Sequence, residues 1–486
     1  MKQLSIVAVA YGLFLACTSI VLWGGYAVLI DAGADAFQLR TAEYFMRNAA
    51  FPVALFGSAL IAYSRPKQGP WRSPLTALAL FEAGALFIVA QRLFGLDASI
   101  AYGACALLLG CGSGLGFCCL QDIIASLKVY EAGLAVFAAA GISCAVYIAM
   151  ELLPRTAMMI FGFAALIPAT AAAMAAAQRT VPCVHPAFDT IPSQQIDRCR
   201  QAAAESWPSL LCIAFTSFAV GIIRVDAIDN TGLVQDYADG SMVGLLAAAI
   251  VLLATWKTIY ERIKLSRLYQ VVFPLTATIF LLLPLFDGQF RHLLVLVAFV
   301  VFSIVSSLMV VSCARVARNQ CLQPVLVYGM FAGTVYAAQE VGSLLGFMLN
   351  TTGTTGFASL SVVALIAIYA MSLAMNTRRG GRGAAESSTA TATTSKTAIA
   401  ESAISPAEAL DIRLSQQCDA LVAQYGLSAR ETDVLRLLAR GRDVPYIAEE
   451  LVISKNTVRT HMRNIFQKTG VHSRQEVIDL LETVEQ

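Results

Sequence analysis

The stretch SKNTVRTHMRNIFQKTG, residues 454–470, holds four Lys or Arg side chains and no carboxylate. Lys455, Arg459 and Arg463 recur every fourth residue, so on a helix they project from one face. Cations arrayed this way suit the oxygens of a polyanion, either backbone phosphates or the O6 and N7 edge of guanine in a major groove. Asn456, Thr457, Thr460 and His461 flank the stripe with neutral donors and acceptors. Val458, Met462, Ile465 and Phe466 lie three or four apart on another face and must pack on something.

A second set of groups stands out by its surroundings. Glu82 interrupts LALFEAGALF, Gln339 and Glu340 interrupt VYAAQEVGSLLG, and Arg224 and Asp226 close an apolar run near position 225. Ionisable groups inside apolar spans are costly and mark function by default. Glu82, Arg224, Gln339 and Glu340 are therefore the expected contacts of a small-molecule ligand.

The elements that must position these residues differ in kind. Of 486 residues, 57% are hydrophobic and 14% charged, with a mean hydropathy of +0.67; soluble domains carry roughly 25% charged residues. Apolar runs long enough to cross a bilayer recur up to about position 376 and then stop. Twelve spans are expected, near 5–30, 48–64, 74–94, 99–120, 130–152, 156–178, 208–228, 240–258, 269–287, 292–313, 325–349 and 353–376. The first continues past Cys17 to Ile30, which favours a retained span over a cleaved leader. With a cytoplasmic N-terminus, thirteen Lys or Arg fall in inner loops. Six fall outside or at span ends, namely Arg40, Arg47, Arg92, Arg155, Arg224 and Arg291. That bias predicts a multi-pass protein of the bacterial inner membrane with both termini cytoplasmic. The twelve cysteines are scattered without a C-x-x-C pair and read as small apolar residues. Cys183, His185 and Cys199 share one loop, but their spacing fits no zinc pattern.

The longest interior loop separates spans six and seven and makes two six-helix halves. This arrangement is similar to the major facilitator superfamily. It departs from that family between spans two and three, where SRPKQGPWRS stands in place of a glycine followed by Asp-Arg and further basic residues. The departure tilts the expectation from transport towards sensing.

Past position 376 the composition turns to Arg, Gly, Ser, Thr and Ala, the pattern of a flexible tether over 377–404. Four capping signals follow. Ser405-Pro406-Ala407-Glu408 opens a helix with Leu410, Leu414 and Leu421 on one face; Ser428-Ala429-Arg430-Glu431 opens ETDVLRLLARG, ending at Gly441. Asp443 precedes VPYIAEEL, and Ser473-Arg474-Gln475-Glu476 opens EVIDLLETV. Ser454 is the expected N-cap of the basic helix. A short helix, a turn and a basic helix make a helix-turn-helix.

The segment LSARETDVLRLLARGRDVPYIAEELVISKNTVRTHMRNIFQKTGVHSRQEVIDLL closely resembles the LuxR-type (GerE-like) helix-turn-helix. Leu427, Ser428, Arg430, Glu431, Ile447, Ala448, Leu451, Ser454, Thr457, Val458, His461, Lys468, Gly470, Val471 and Arg474 carry the resemblance. Pro445 is a departure, placed early enough in its helix to be tolerated. The resemblance implies contacts to bases or backbone from Arg459, Thr460 and Arg463, and to phosphates from Asn456, Thr457 and Lys468. It also implies pairing of two copies through the last helix, where Val477, Leu480, Leu481 and Val484 form an apolar stripe.

The expected fold is all-α: a polytopic bundle over 1–376, a linker over 377–404 and a small helix-turn-helix domain over 405–486. Double-stranded DNA, the lipid bilayer, a second copy of the chain, an unidentified small molecule and RNA polymerase are the expected partners. No metal or other cofactor is expected. No nucleophile–base pair or phosphate loop occurs, so an enzyme is not expected. The leading expectation is a membrane-bound regulator that senses a small molecule; the alternatives are a transporter carrying its own regulator and a passive anchor.

Overall fold

A computed structural model describes residues 2–20, 36–64, 73–181, 192–225, 231–262, 265–282, 286, 289–351, 417–422, 424–439, 444–451, 454–471, 476–477 and 480. The chain divides into two compact units, residues 1–386 and 387–486. Among the described residues both units are helical throughout, as the apolar runs and capping signals predict.

The first unit is a bundle. Its first half comprises α1 (Lys2–Thr18), α2 (Ala36–Ser64), α3 (Pro74–Phe94), α4 (Ala98–Ser126), α5 (Val129–Glu151), α6 (Arg155–Phe161) and α7 (Ile167–Thr180). A π-helical turn, Gly162–Leu166, joins α6 to α7 into one span. Pro168 explains that turn: it has no N–H to return to Ala164, so the ladder widens there. The second half comprises α8 (Pro192–Val225), α9 (Thr231–Arg262), α10 (Leu265–Leu282), α11 (Gln289–Asn319) and α12 (Pro324–Thr351). Eleven of the twelve expected spans fall on these helices; the twelfth, 353–376, lies outside the described residues. Seven of the described helices are long and apolar enough to cross a membrane.

Local chemistry sets several helix ends. The Ser73 side chain accepts from Leu75 N–H with Pro74 beside it, and Gly95 closes α3 at φ 65°. Asp97 accepts from Ser99 N–H at 2.9 Å and from Ile100 N–H at 3.2 Å to open α4.

Lipid is as apolar as a leucine core, so the bundle depends on close packing and on hydrogen bonds between helices. Glycines permit that closeness. A Cβ on Gly342 of α12 would overlap the Phe218 carbonyl of α8, and a Cβ on Gly221 of α8 would overlap the Gln339 carbonyl. Ser217 Oγ donates to Gln339 Oε1 at 3.0 Å across the same seam. On another flank of α12, a Cβ on Gly329 would lie 2.6 Å from the Leu55 carbonyl of α2. Gly110 of α4 lies against the Arg47 carbonyl of α2. Pro52 lies inside α2, and it lacks the N–H that would otherwise bond to the Asn48 carbonyl.

The halves also meet through polar contacts. Gln121 donates to the Val310 carbonyl at 3.1 Å, and Arg318 donates to the carbonyls of Ala125 and Leu127 at the end of α4. Trp256 Nε1 donates to the Tyr130 carbonyl at 3.0 Å, and its ring meets Phe137 edge-on at 5.0 Å.

The second unit contains α13 (Ala429–Ala439), α14 (Val444–Glu450) and α15 (Lys455–Thr469). Leu421, Val434, Leu435, Leu438, Ile447, Val458 and Ile465 form its core, with Leu451, Met462 and Phe466 packed against it. A fully buried Leu or Ile contributes roughly 1.5–3 kcal/mol, so a handful of such residues can hold a unit this small. The expected signals at Ser405, Gly441, Asp443 and Ser473 lie outside the described residues.

Candidate DNA-binding helix and membrane cavity

Both ends of α15 are closed by its own sequence. Ser454 Oγ accepts from Thr457 N–H at 3.0 Å, and Gly470 takes the left-handed conformation at φ 75°. The apolar face of Val458 and Ile465 is buried, which turns the other face outward. Asn456, Arg459, Thr460 and Arg463 are exposed, and Thr457 is half-buried. The Arg459 guanidinium donates to Asn456 Oδ1 at 3.4 Å, which aligns two of the expected contacts side by side. The backbone at Lys455 continues the same stripe.

A capping box holds α13 as expected: Ser428 N–H donates to Glu431 Oε2 at 2.8 Å, and Glu431 N–H donates to Ser428 Oγ at 3.4 Å. Lys468 completes this corner. Its Nζ donates to Glu431 Oε2 at 2.7 Å and to the Gly426 carbonyl at 3.1 Å. The hydrogen bond from Lys468 holds the Glu431 carboxyl down at about 2, with the Ser428 bonds adding to it against the opposing cost of burial. Lys468, expected on a phosphate, is held within its own domain by these two bonds. Val477 differs too: it is 1% exposed in the core, and Leu480 packs partly buried against that core. A short helix must bury at least one face, so Val477 is not part of an open stripe. Leu481 and Val484 lie outside the described residues.

Within the bundle, Arg224, Gln339 and Glu340 converge on one cavity of about 140 Å³ between the two halves. α1 contributes Tyr11 and Thr18, with Ser19 just past its end; α2 contributes Arg47, Asn48 and Phe51; α11 contributes Ser303, Ser306 and Ser307. Phe51 and Tyr336 meet edge to face at 4.8 Å along one wall. Arg224 Nη2 donates to Ser241 Oγ at 3.5 Å, and its guanidinium lies 5.7 Å from the Phe299 ring centre. Arg47 Nη1 donates to Glu43 Oε1 at 2.8 Å, with both side chains 7% exposed.

Two expectations are corrected here. Arg47, counted among outer loop and span-end charges, is buried, because α2 begins at Ala36 and Glu43 one turn earlier neutralises it. Arg224, in the last turn of α8, lines the cavity. Glu82 is not in the cavity; it stands in a shallow groove beside Leu78, Ile167 and Ala171, between α3 and α7.

The sequence family described as bacterial regulatory proteins, luxR family, matches residues 426–481. The C-terminal unit carries a LuxR-type helix-turn-helix. Over 53 residues the chain is 51% identical to the fimbriae Z protein of Salmonella typhimurium, covering 11% of this chain and 25% of that protein. Over 48 residues it is 46% identical to the "Probable transcriptional regulatory protein NarL" of Mycobacterium tuberculosis, 10% of this chain and 22% of that one. Over 62 residues it is 40% identical to the HTH-type transcriptional regulator MalT of Serratia proteamaculans, 13% of this chain and 7% of that protein. The chain thus spans a quarter or less of these relatives. The rest resembles a crystal structure of the Escherichia coli fucose:proton symporter FucP, at a TM-score of 0.50 and 11% identity. That likeness covers 76% of this chain and 97% of the symporter.

The chain therefore joins a LuxR-type helix-turn-helix to a helical bundle with a fold like that of the symporter. In the LuxR-type domain, Asn456, Arg459, Thr460 and Arg463 are exposed on α15. In the bundle, reading the sequence missed Arg47 and Asn48. The signal was present in TAEYFMRN, where Glu43 and Arg47 stand four apart.

Proposed function

We propose that the chain is a membrane-held transcription regulator whose bundle senses a small molecule and whose LuxR-type domain answers at DNA. The observation that supports sensing is the cavity, in which polar side chains from both halves meet. Arg459, Thr460 and Arg463 would contact bases or backbone, with Lys455, Asn456 and Thr457 on phosphates. Two copies would pair through Leu480, Leu481 and Val484 on a two-fold site, and RNA polymerase would be the downstream partner. Removing Arg47 and Arg224 from the outer charges leaves four against thirteen, which supports cytoplasmic termini and an inner-membrane location.

A reporter strain tests the sensing. Glu340→Gln should leave the protein in the membrane and DNA binding intact, yet abolish the response to inducer. Deleting residues 1–400 should give a reporter insensitive to any inducer; a retained response would mean that the bundle only anchors. The transporter-like fold supports a second reading, transport with an appended regulator. Uptake of the inducer into vesicles holding the protein would favour it.

A further inference from the structure

The polar groups of the cavity are unevenly satisfied. Asn48 and Arg47 are 8% and 6% exposed, yet among the described residues Asn48 Nδ2 and Arg47 Nε have no hydrogen-bond partner. A buried N–H without an acceptor is destabilising, and here two occur on adjacent residues lining one cavity. Both needs are for an acceptor.

Glu340 presents the opposite need. Its carboxyl group lines the same cavity as Arg224 and Arg47. A simple carboxylate would meet the N–H donors but bring no cation to Glu340. A neutral polyol would meet the N–H donors but place no cation at Glu340. A molecule carrying both charges answers both needs.

We propose that the cavity binds a small zwitterion of the α-amino-acid class. Its carboxylate accepts from Arg47 Nε–H and Asn48 Nδ2–H, and its ammonium donates to Glu340. The cavity, about 140 Å³, falls below the roughly 300 Å³ at which drug-sized pockets begin, so the side chain is a few atoms long. Phe51 and Tyr336 supply an apolar wall for it. This assignment rests on the sensing reading above and adds the chemistry of the ligand.

Thermal unfolding of the full-length protein in detergent tests it, with L-alanine, L-serine, lactate, alaninol and glycerol as probes. Alanine and serine should raise the melting temperature. Lactate lacks the ammonium and alaninol the carboxylate, so each should bind about tenfold or more weakly. Glu340→Gln should keep the ligand-free melting temperature but lose the preference for alanine over lactate. Asn48→Asp should lose alanine binding by repelling its carboxylate. Lactate or glycerol stabilising as well as alanine overturns the assignment, as does silence from both amino acids. If lactate or glycerol binds and also drives the reporter, the ligand class falls while sensing stands. If alanine binds and the reporter ignores it, the class stands and the sensing reading falls.

Discussion

Glu431 ties the start of α13 to the end of α15, and removing its charge should loosen the LuxR-type domain in a pH-dependent way. Its carboxyl lies at about 2 in the folded domain against an ordinary value of 4.5. A carboxyl lowered by folding stabilises the domain above about pH 4.5, and that stabilisation drains away as pH falls towards 2. At about 1.4 kcal/mol per pH unit, the full difference corresponds to about 3 kcal/mol. Lys468 is 38% exposed, so solvent screening reduces this to roughly 1–2 kcal/mol. Glu431→Gln should therefore lower the stability of fragment 387–486 at pH 7 by that amount. A domain of this size loses about 4–8 °C of Tm per kcal/mol. Circular dichroism melts between pH 7 and 3 would show wild type and variant converging as the pH drops. Parallel curves across that range, with a constant gap or none, would refute the role assigned to the pair.

The seam between α8 and α12 should not tolerate a methyl group: Gly342→Ala should cost several degrees of thermal stability in detergent. Gly141→Ala, where nothing lies within 4 Å of the added carbon, should change little. Arg459→Ala should lose roughly 1–3 kcal/mol at one base pair and relax specificity there, whereas Arg463→Ala should weaken all sequences alike and reduce the salt slope by about one contact per protomer. Binding isotherms at several salt concentrations separate the two, and unchanged binding by both variants would remove α15 from the DNA. Leu481→Asp should abolish cooperative occupancy of a two-fold site while the fragment stays helical, as footprinting and circular dichroism would show.

The LuxR-type domain was legible because its signals are local. Ser428 with Glu431, and Ser454, name helix starts, and the four-residue spacing of Lys455, Arg459 and Arg463 names a face. The commitment of Lys468 to Glu431 joins residues 37 apart, beyond the reach of any local pattern. In the bundle, helix existence was legible and helix rotation was not. Lipid and protein interior are both apolar, so Glu82 and Glu340 look alike in sequence although only Glu340 reaches the cavity. The second span reads as 48–64 because a hydropathy window counts Glu43 and Arg47 as two charges. Folded, they are one neutral pair, and the helix starts at Ala36.

Pro52 gives α2 a soft backbone joint. α2 meets α4 of its own half where Gly110 approaches the Arg47 carbonyl and Gly114 approaches Ala54, and it meets α12 of the opposite half at Phe45 with Phe347 and at Leu55 with Gly329. One helix is thus riveted to both halves, with Pro52 among the rivets. Rocking of one half against the other must either flex α2 at Pro52 or shear a glycine contact that has no slack. The bend is the softer of the two, and Asn48, one turn away, would swing with it. If a ligand binds at Asn48 as proposed, its occupancy would be coupled to the angle between the halves.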